Sequence, residues 1–409
     1  MYAFLADWMI AARNVLRQRR RSSTAIAAIA FGVAALLLAG GFIDWMFYGM
    51  REWTILSRLG HVQIVKSGYL ENGLSDPFEY LLPETSEARA RIERLPEVRV
   101  LGERIAFNGL ISRGESTISF IAEGVEPDKE HLLSRTLAIP KGSDLSIADP
   151  RGIIVGQGLA ANLGVGVGES VVLMANTKAG GVNAVECRVR GFFSTVSKAY
   201  DDTALRVPIA TARELLKVSG AHQWVLLLGR TEDTVRVVAE LKARLAGQPL
   251  QVVAWQELAD LYNKTVTLFS RQVTVMKWIV ALIIVLSISN TMMMSVMERT
   301  GEIGTAMALG VRRPRVMRTF LMEGALLGMA GGAFGLAAGL AGAWIVSRIG
   351  IPMPPPPGMA RGYVAEIATS WALSADAFLL AVGTTLAASV YPAWKASRMV
   401  IVDALRFNR

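Results

Sequence analysis

VTVMKWIVALIIVLSISNTMMMSVM (273–297) is 25 residues long and carries a single charge, Lys277. A helix of this length crosses the hydrocarbon core of a bilayer, which needs about 20 mostly apolar residues. Three other segments read the same way. SSTAIAAIAFGVAALLLAGGFIDWMFY (22–48) holds only Asp44, the stretch 319–346 holds only Glu323, and 373–394 holds only Asp376. More than 200 residues of mixed polarity, 49–272, separate the first apolar segment from the second. The implied fold is an α+β membrane protein. Four transmembrane helices stand in a 1+3 order, with a large mixed α/β extracytoplasmic domain inserted between the first and second.

Composition agrees. Of 409 residues 52% are hydrophobic before the 38 glycines are counted; an average soluble domain reaches about 45–50% with glycine included. Mean hydropathy is +0.38. The single cysteine, Cys187, excludes a disulfide framework within the chain and any cysteine-rich metal site. A cleaved signal peptide has an apolar core of about 7–15 residues. Here the run is longer, and Trp45 and Tyr48 stand where an aromatic belt would, so a retained helix is expected.

The net charge of +9 is distributed as a topology signal rather than as a nucleic-acid surface. Arg13, Arg17, Arg19, Arg20 and Arg21 precede the first span. Arg299, Arg312, Arg313, Arg315 and Arg318 fill the loop 298–318, and Lys395, Arg398, Arg406 and Arg409 fill the tail 395–409. The short loop 347–372 has only Arg348, at its membrane edge, and Arg361. Basic residues remain on the cytoplasmic side, so both termini and 298–318 are expected there, with 49–272 and 347–372 outside an inner membrane. Residues 1–21, with Trp8, Ile10 and Leu16 among the arginines, read as a helix lying along the interface.

Within 49–272, strand-like runs are 61–65, 116–125, 151–155, 169–175, 186–193 and 222–229, rich in valine and isoleucine. Helical stretches are expected at 84–95, 231–246 and from Thr211 to Val218. Gly156-Gln157-Gly158-Leu159-Ala160-Ala161 fits the dinucleotide fingerprint, but the glycine-broken 163–170 leads into another strand and no acid follows at the right spacing. A short helix packed on the sheet by its small residues is expected instead. His61, His131 and His222 share no ligand spacing, and no G-x-S-x-G elbow occurs. No catalytic site, bound cofactor or metal is expected.

The most specific stretch is Met297-Glu298-Arg299-Thr300-Gly301-Glu302-Ile303-Gly304-Thr305-Ala306-Met307-Ala308-Leu309-Gly310. Glu298 and Glu302 stand four apart with Arg299 beside them, and Gly304 and Gly310 permit a tight turn. A charged helix-turn under a membrane bundle suits docking to a cytoplasmic partner. Residues 298–328 resemble the signature E-R-x-x-E-I-G-x-x-x-A-L-G of the FtsX/MacB/LolC-type ABC transporter permeases. The basic arm at 13–21, the stretch 153–173 and the C-terminal 391–396 with 403–406 resemble other parts of that family. Gly301 and Met307 depart from its frequent basic residues, and Ile401 from its frequent proline.

The resemblance implies a non-catalytic permease in the split, LolC/LolE-like form. No Gly-Lys dipeptide occurs in the chain, so it has no phosphate loop. ATP and magnesium would be bound by a separate cytoplasmic ABC ATPase dimer, coupled through Glu298, Arg299, Glu302, Gly304 and Gly310. Further implied partners are a second permease copy, a periplasmic carrier or adaptor, and lipid or lipoprotein cargo. Phe42, Trp45, Met46, Tyr48, Phe269 and Met276 are the expected lining of a cargo cavity, because aromatic and methionine side chains suit acyl chains. The implied alternatives are a MacB-like efflux pump and an FtsX-like regulator of wall hydrolases. The tetraproline 354–357 reads as a rigid extended outer loop.

Overall fold

The computed structural model describes residues 2–73, 75–195, 197–353, 363–401 and 404, and side chains from Asp7 onward. The tetraproline and residues 403, 405 and 406 lie outside the described residues. The chain divides into two compact units, one built from 1–48, 265–352 and 364–409, the other from 49–264 and 353–363.

The first unit is helical. Its elements are α1 (Tyr2–Arg17), α2 (Arg19–Thr54, followed by a π turn at Ile55–Leu59), α3 (Asp260–Glu298), α4 (Thr300–Ala308), α5 (Arg313–Ile349) and α6 (Trp371–Ser397). Of these, α2, α3, α5 and α6 are long and apolar enough to cross a membrane, and each extends past its apolar run. Their shared core contains Ile29 and Val33 of α2, Ile284 and Ile288 of α3, Leu327 of α5 and Ala381 of α6. Lipid supplies no hydrophobic drive for helix association, so close packing of small residues must do it. The glycines of α5 serve both of its neighbours. A Cβ at Gly331 would stand 2.6 Å from Ile29, and one at Gly335 2.6 Å from Val33, both on α2. Gly328 and Gly332 meet Thr385 and Phe378 of α6 in the same way. In α3 the polar Ser289 donates its hydroxyl to the Ala388 carbonyl of α6 at 3.0 Å.

The inserted domain carries strands β1 (Val62–Lys66), β2 (Val98–Arg113), β3 (Ser116–Val125), β4 (Ala138–Gly142), β5 (Gly152–Gly156), β6 (Ser170–Asn176), β7 (Val182–Ser194), β8 (Ala204–Pro208), β9 (Gln223–Leu228) and β10 (Leu250–Ala254). They form one sheet in the order β10-β1-β9-β2-β3-β8-β5-β7-β4, with β6 pairing β2 and β7. The first four strands, with helices Glu87–Glu93 and Thr234–Arg244, make a ferredoxin-like β-α-β-β-α-β lobe whose core includes Ile64, Leu101, Trp224, Leu226 and Leu241. The connection from β2 to β9 holds the second lobe. β2 belongs to both, because Val98–Arg104 pair with β9 and Arg104–Arg113 pair with β3. Gly109 lets β6 approach, since a Cβ there would fall 2.1 Å from the Met174 carbonyl oxygen.

Several elements differ from their sequence reading. β2 was not expected as a strand, because Glu103 and Arg104 interrupt its apolar pattern. The helix expected at Thr211 runs from Ile209 to Leu216, and Thr211 bonds the Pro150 carbonyl from inside it. The helix expected over 84–95 is Glu87–Glu93, capped by the Ser86 hydroxyl, which accepts from the Arg89 amide at 3.1 Å.

Candidate coupling site

The loop 298–318 is a helical hairpin. α3 ends at Glu298, and Arg299 leaves helical geometry at φ −100°, ψ 14°. The Thr300 hydroxyl donates to the Met297 carbonyl at 2.8 Å, which satisfies an end group of α3. α4 buries Ile303 and Met307 against Val316 and Phe320 of α5. Gly310, at φ +96°, makes the turn, and Pro314 lies in the first turn of α5. Gly304 is not a turn residue. It lies buried inside α4, where a small side chain serves packing.

The acidic residues of the hairpin are engaged by the chain's own N-terminus. Arg21 pairs with Glu298 at 2.5 Å, and Arg17 of α1 donates to Glu302 at 2.9 Å. Glu323, the lone charge of the third span, accepts from Asn14 Nδ2 at 2.5 Å and from Arg299 Nη1 at 2.9 Å. The Arg299 guanidinium also lies over the Phe320 ring, 5.5 Å from its centroid. Asp7 is fully buried and accepts from Arg315 Nε at 3.1 Å and from Arg318. With these groups occupied, the hairpin exposes Leu309 (82% exposed), flanked by Gly310, Arg312, Arg313 and Pro314.

The residues read as a cargo cavity are only partly brought together. Phe269 meets Phe47 edge-on at 6.5 Å, linking α3 to α2. Phe42, Trp45 and Met46 are half-buried on α2, Tyr48 is exposed, and Met276 packs against the helical core. In the inserted domain the dinucleotide-like glycines serve packing. A Cβ at Gly158 would collide with the Asp202 carboxylate, and one at Gly156 with the Asp201 carbonyl. His61 accepts from the Leu228 amide and meets Thr231, while His222 accepts from the Ala106 amide and meets the Pro77 carbonyl. Burial pushes both imidazoles down to about 4, so they are neutral struts. No group of three or more metal-ligating side chains occurs among the described residues. Burial pushes the Cys187 thiol up to about 12, which leaves it unreactive.

Family comparisons bear on this arrangement. Residues 274–401 match the FtsX-like permease C-terminal family model, and residues 22–244, more than half of the chain, match the MacB-like periplasmic core domain. The chain belongs to the FtsX/MacB/LolC-type family of ABC transporter permeases. The permease is 27% identical over 317 residues to the lipoprotein-releasing system transmembrane protein LolC of Xylella fastidiosa strain Temecula1, covering 72% of this chain and 75% of that one. It is 25% identical to the macrolide export ATP-binding/permease protein MacB of Syntrophobacter fumaroxidans, covering 78% of this chain and 44% of that one. The permease therefore spans less than half of that MacB relative. The solved periplasmic region of MacB from Actinobacillus actinomycetemcomitans aligns with TM-score 0.36 at 12% identity, over 52% of this chain and 95% of that one. The permease is thus a membrane component of an ABC transporter, related to LolC and MacB. What sequence reasoning missed is the set of partners at the site: Asp7, Asn14, Arg17 and Arg21 near the N-terminus, and Glu323 of α5. The usable signals were a lone acid in a basic arm and a lone acid in an apolar span.

Proposed function

We propose that this chain is the non-catalytic subunit that converts the motion of a separate cytoplasmic ABC ATPase dimer into work by its inserted domain outside the inner membrane. Its cargo is lipoprotein or another lipid-linked molecule, handed to a periplasmic carrier, and it works as a pair of permease copies. Both termini and the hairpin 298–318 lie in the cytoplasm. The ATPase supplies ATP and magnesium chemistry. The observation that carries this reading is the hairpin tip, where exposed Leu309 is followed by the turn glycine Gly310 and the exposed arginines 312 and 313. Such a tip fits an apolar groove with an acidic rim. Glu298 and Glu302 act on the partner indirectly, by holding the end of α3 and α4 against the N-terminal arm.

The test is co-purification. Leu309→Asp with Arg312→Glu and Arg313→Glu should reduce recovery of the ATPase at least ten-fold while insertion, read by protease accessibility, is unchanged. Normal recovery would remove the tip from the interface. ATP-dependent release of lipoprotein from proteoliposomes to a soluble carrier then tests the cargo. Efflux with a periplasmic adaptor is the second reading, supported by the MacB relative matched over 78% of this chain. Dependence of transport on an adaptor, with no lipoprotein released, would select it.

A further inference from the structure

In the inserted domain five charged side chains meet, four of them buried and the fifth, Arg58, at the edge of the cluster and half-exposed. Arg104 of β2 donates through Nε and Nη2 to both oxygens of Glu130, at 3.1 and 2.7 Å. Arg206 of β8 reaches the same carboxylate at 3.1 Å and Glu123 of β3 at 3.3 Å. Arg58 completes the group by donating to Glu123 at 3.0 Å and lying over the Tyr200 ring, 5.1 Å from its centroid. Arg104 and Arg206 are wholly buried. Burial alone would raise the Glu123 carboxyl, yet Arg206, Arg58 and Arg104 hold it down at about 2.

Such a cluster is poor value as a stabiliser, because desolvating ions costs several kcal/mol each and apolar residues of similar volume do as well or better. What apolar residues cannot do is bind backbone carbonyls. The helix α2 ends in the π turn Ile55–Leu59, whose last carbonyls lack helical partners. Arg206 Nη2 donates to the Ser57 carbonyl at 3.0 Å, Ser134 Oγ donates to it at 3.1 Å, and Arg104 Nη1 donates to the Arg58 carbonyl. Gln63 Nε2 donates to the Leu59 carbonyl at 2.9 Å. A helix C-terminus carries partial negative charge, so buried guanidinium groups are its strongest caps. Those caps come from β2 and β8, and Glu130, in the helix Pro127–Leu133, fixes both guanidiniums at once.

We propose that Arg104, Arg206 and Glu130 form a joint that fastens the end of the first spanning helix to the central strands of the inserted domain, so that displacement of this helix is delivered to β2, β3 and β8. The three are positioning residues. The proposal rests on the reading that the chain transmits ATPase motion.

The test uses the full-length permease in lipid nanodiscs and compares Arg206→Met, Arg206→Lys and Glu130→Gln, with Arg113→Met at an exposed pair as control. Hydrogen exchange of the amides of residues 57–61 should rise at least ten-fold in Arg206→Met and less in Arg206→Lys, with β6 and β7 unchanged. Exchange rising equally across the whole domain would mean a merely structural role and overturn the joint. If Arg206→Met unfolds, Arg206→Lys and the apolar set Arg104→Met, Glu130→Leu, Arg206→Met carry the measurement. With the ATPase bound, the apolar set should keep hydrolysis within two-fold while lipoprotein release falls at least ten-fold. Release retained alongside hydrolysis would overturn the joint. If the unmodified complex hydrolyses ATP but releases no lipoprotein, the cargo reading fails, and the exchange measurement decides the joint by itself.

Discussion

The permease holds two charge networks built for opposite purposes. In the inserted domain Arg104, Arg206, Glu123 and Glu130 are almost completely enclosed, and each carboxylate faces two or more arginines. In the membrane unit the pairs Arg17–Glu302 and Arg21–Glu298 stand in the open, with side chains a third to three-quarters exposed. Coulomb attraction in an enclosed site is screened little by salt, whereas an exposed pair is worth about 0.2–1 kcal/mol and weakens with salt. The first network is therefore a fixture and the second a set of separable contacts. The proposed function needs both: a hairpin that can be gripped and shifted, and a joint that does not slip.

Breaking the enclosed network should have the largest effect. Glu130→Ala leaves Arg104 and Arg206 buried without their shared partner, a loss on the order of 3–5 kcal/mol. Denaturant unfolding of the inserted domain, followed by Trp224 fluorescence in the full-length protein, measures it. A loss below about 1 kcal/mol would mean that water reaches the site. Replacing Arg104, Glu130 and Arg206 by Met, Leu and Met should restore much of that stability, since the one buried charge that remains, Glu123, keeps Arg58 as its partner. A triple variant as unstable as Glu130→Ala would show that the carbonyl caps, rather than the ion pairs, hold the domain together.

Asp7 lies between the two extremes. It is fully buried, but its partners Arg315 and Arg318 are about half exposed, and water can take over their solvation. Asp7→Ala should cost about 1–3 kcal/mol and should free α1, seen as faster exchange of the amides of residues 8–17. Protection unchanged in that segment would mean that apolar contacts alone hold the arm.

What could be read from the sequence follows from how far each constraint reaches along the chain. The four spans were legible because a bilayer imposes about 20 apolar residues on each, whatever their neighbours. The hairpin was legible as a motif within 14 consecutive residues. Its N-terminal partners were not, because Asp7 and Arg318 lie 311 positions apart and no local pattern links them. The buried joint was harder still. Arg104 interrupts the alternation that would mark β2, and Glu130 sits in PDKEHLL, which reads as a solvated helix. Gly304 misled in the opposite sense, because a glycine next to a turn motif looks like the turn, although Gly310 alone has the positive φ that a turn demands.

Acid sharpens the contrast by attacking the inserted domain in two windows. His61 and His222 titrate at about 4 in the fold and near 6.5 when unfolded. The unfolded chain therefore binds more protons in that interval, and stability falls as pH drops from 6.5 towards 4, by on the order of 2–3 kcal/mol per histidine. Glu123, held at about 2, keeps its charge throughout and is lost only as pH falls from about 4.5 to 2. Unfolding free energy measured at pH 7, 5 and 3.5 should show the fall across the first window about halved in His222→Gln, because His61 still titrates, and the second left in place. An unaltered slope between 6.5 and 4 would mean that His222 is not the neutral strut described.

The smallest effect belongs to the open pair, and it is the most diagnostic for function. Exchanging the two charges, Arg17→Glu with Glu302→Arg, preserves the contact in reverse, so stability should change by less than about 1 kcal/mol. Either substitution alone places like charges at the former contact and should loosen α4. ATPase recovery should therefore drop in both single variants and return in the exchange, with the drop shrinking as salt is raised from 0.05 to 0.5 M, because screening weakens the new repulsion. That result requires Glu302 to act through Arg17 and not through the ATPase. If Glu302 instead touches the ATPase directly, the exchange will not restore recovery, since the partner will meet an arginine where it expects a carboxylate. The hairpin surface would then extend from Leu309 back to Glu302.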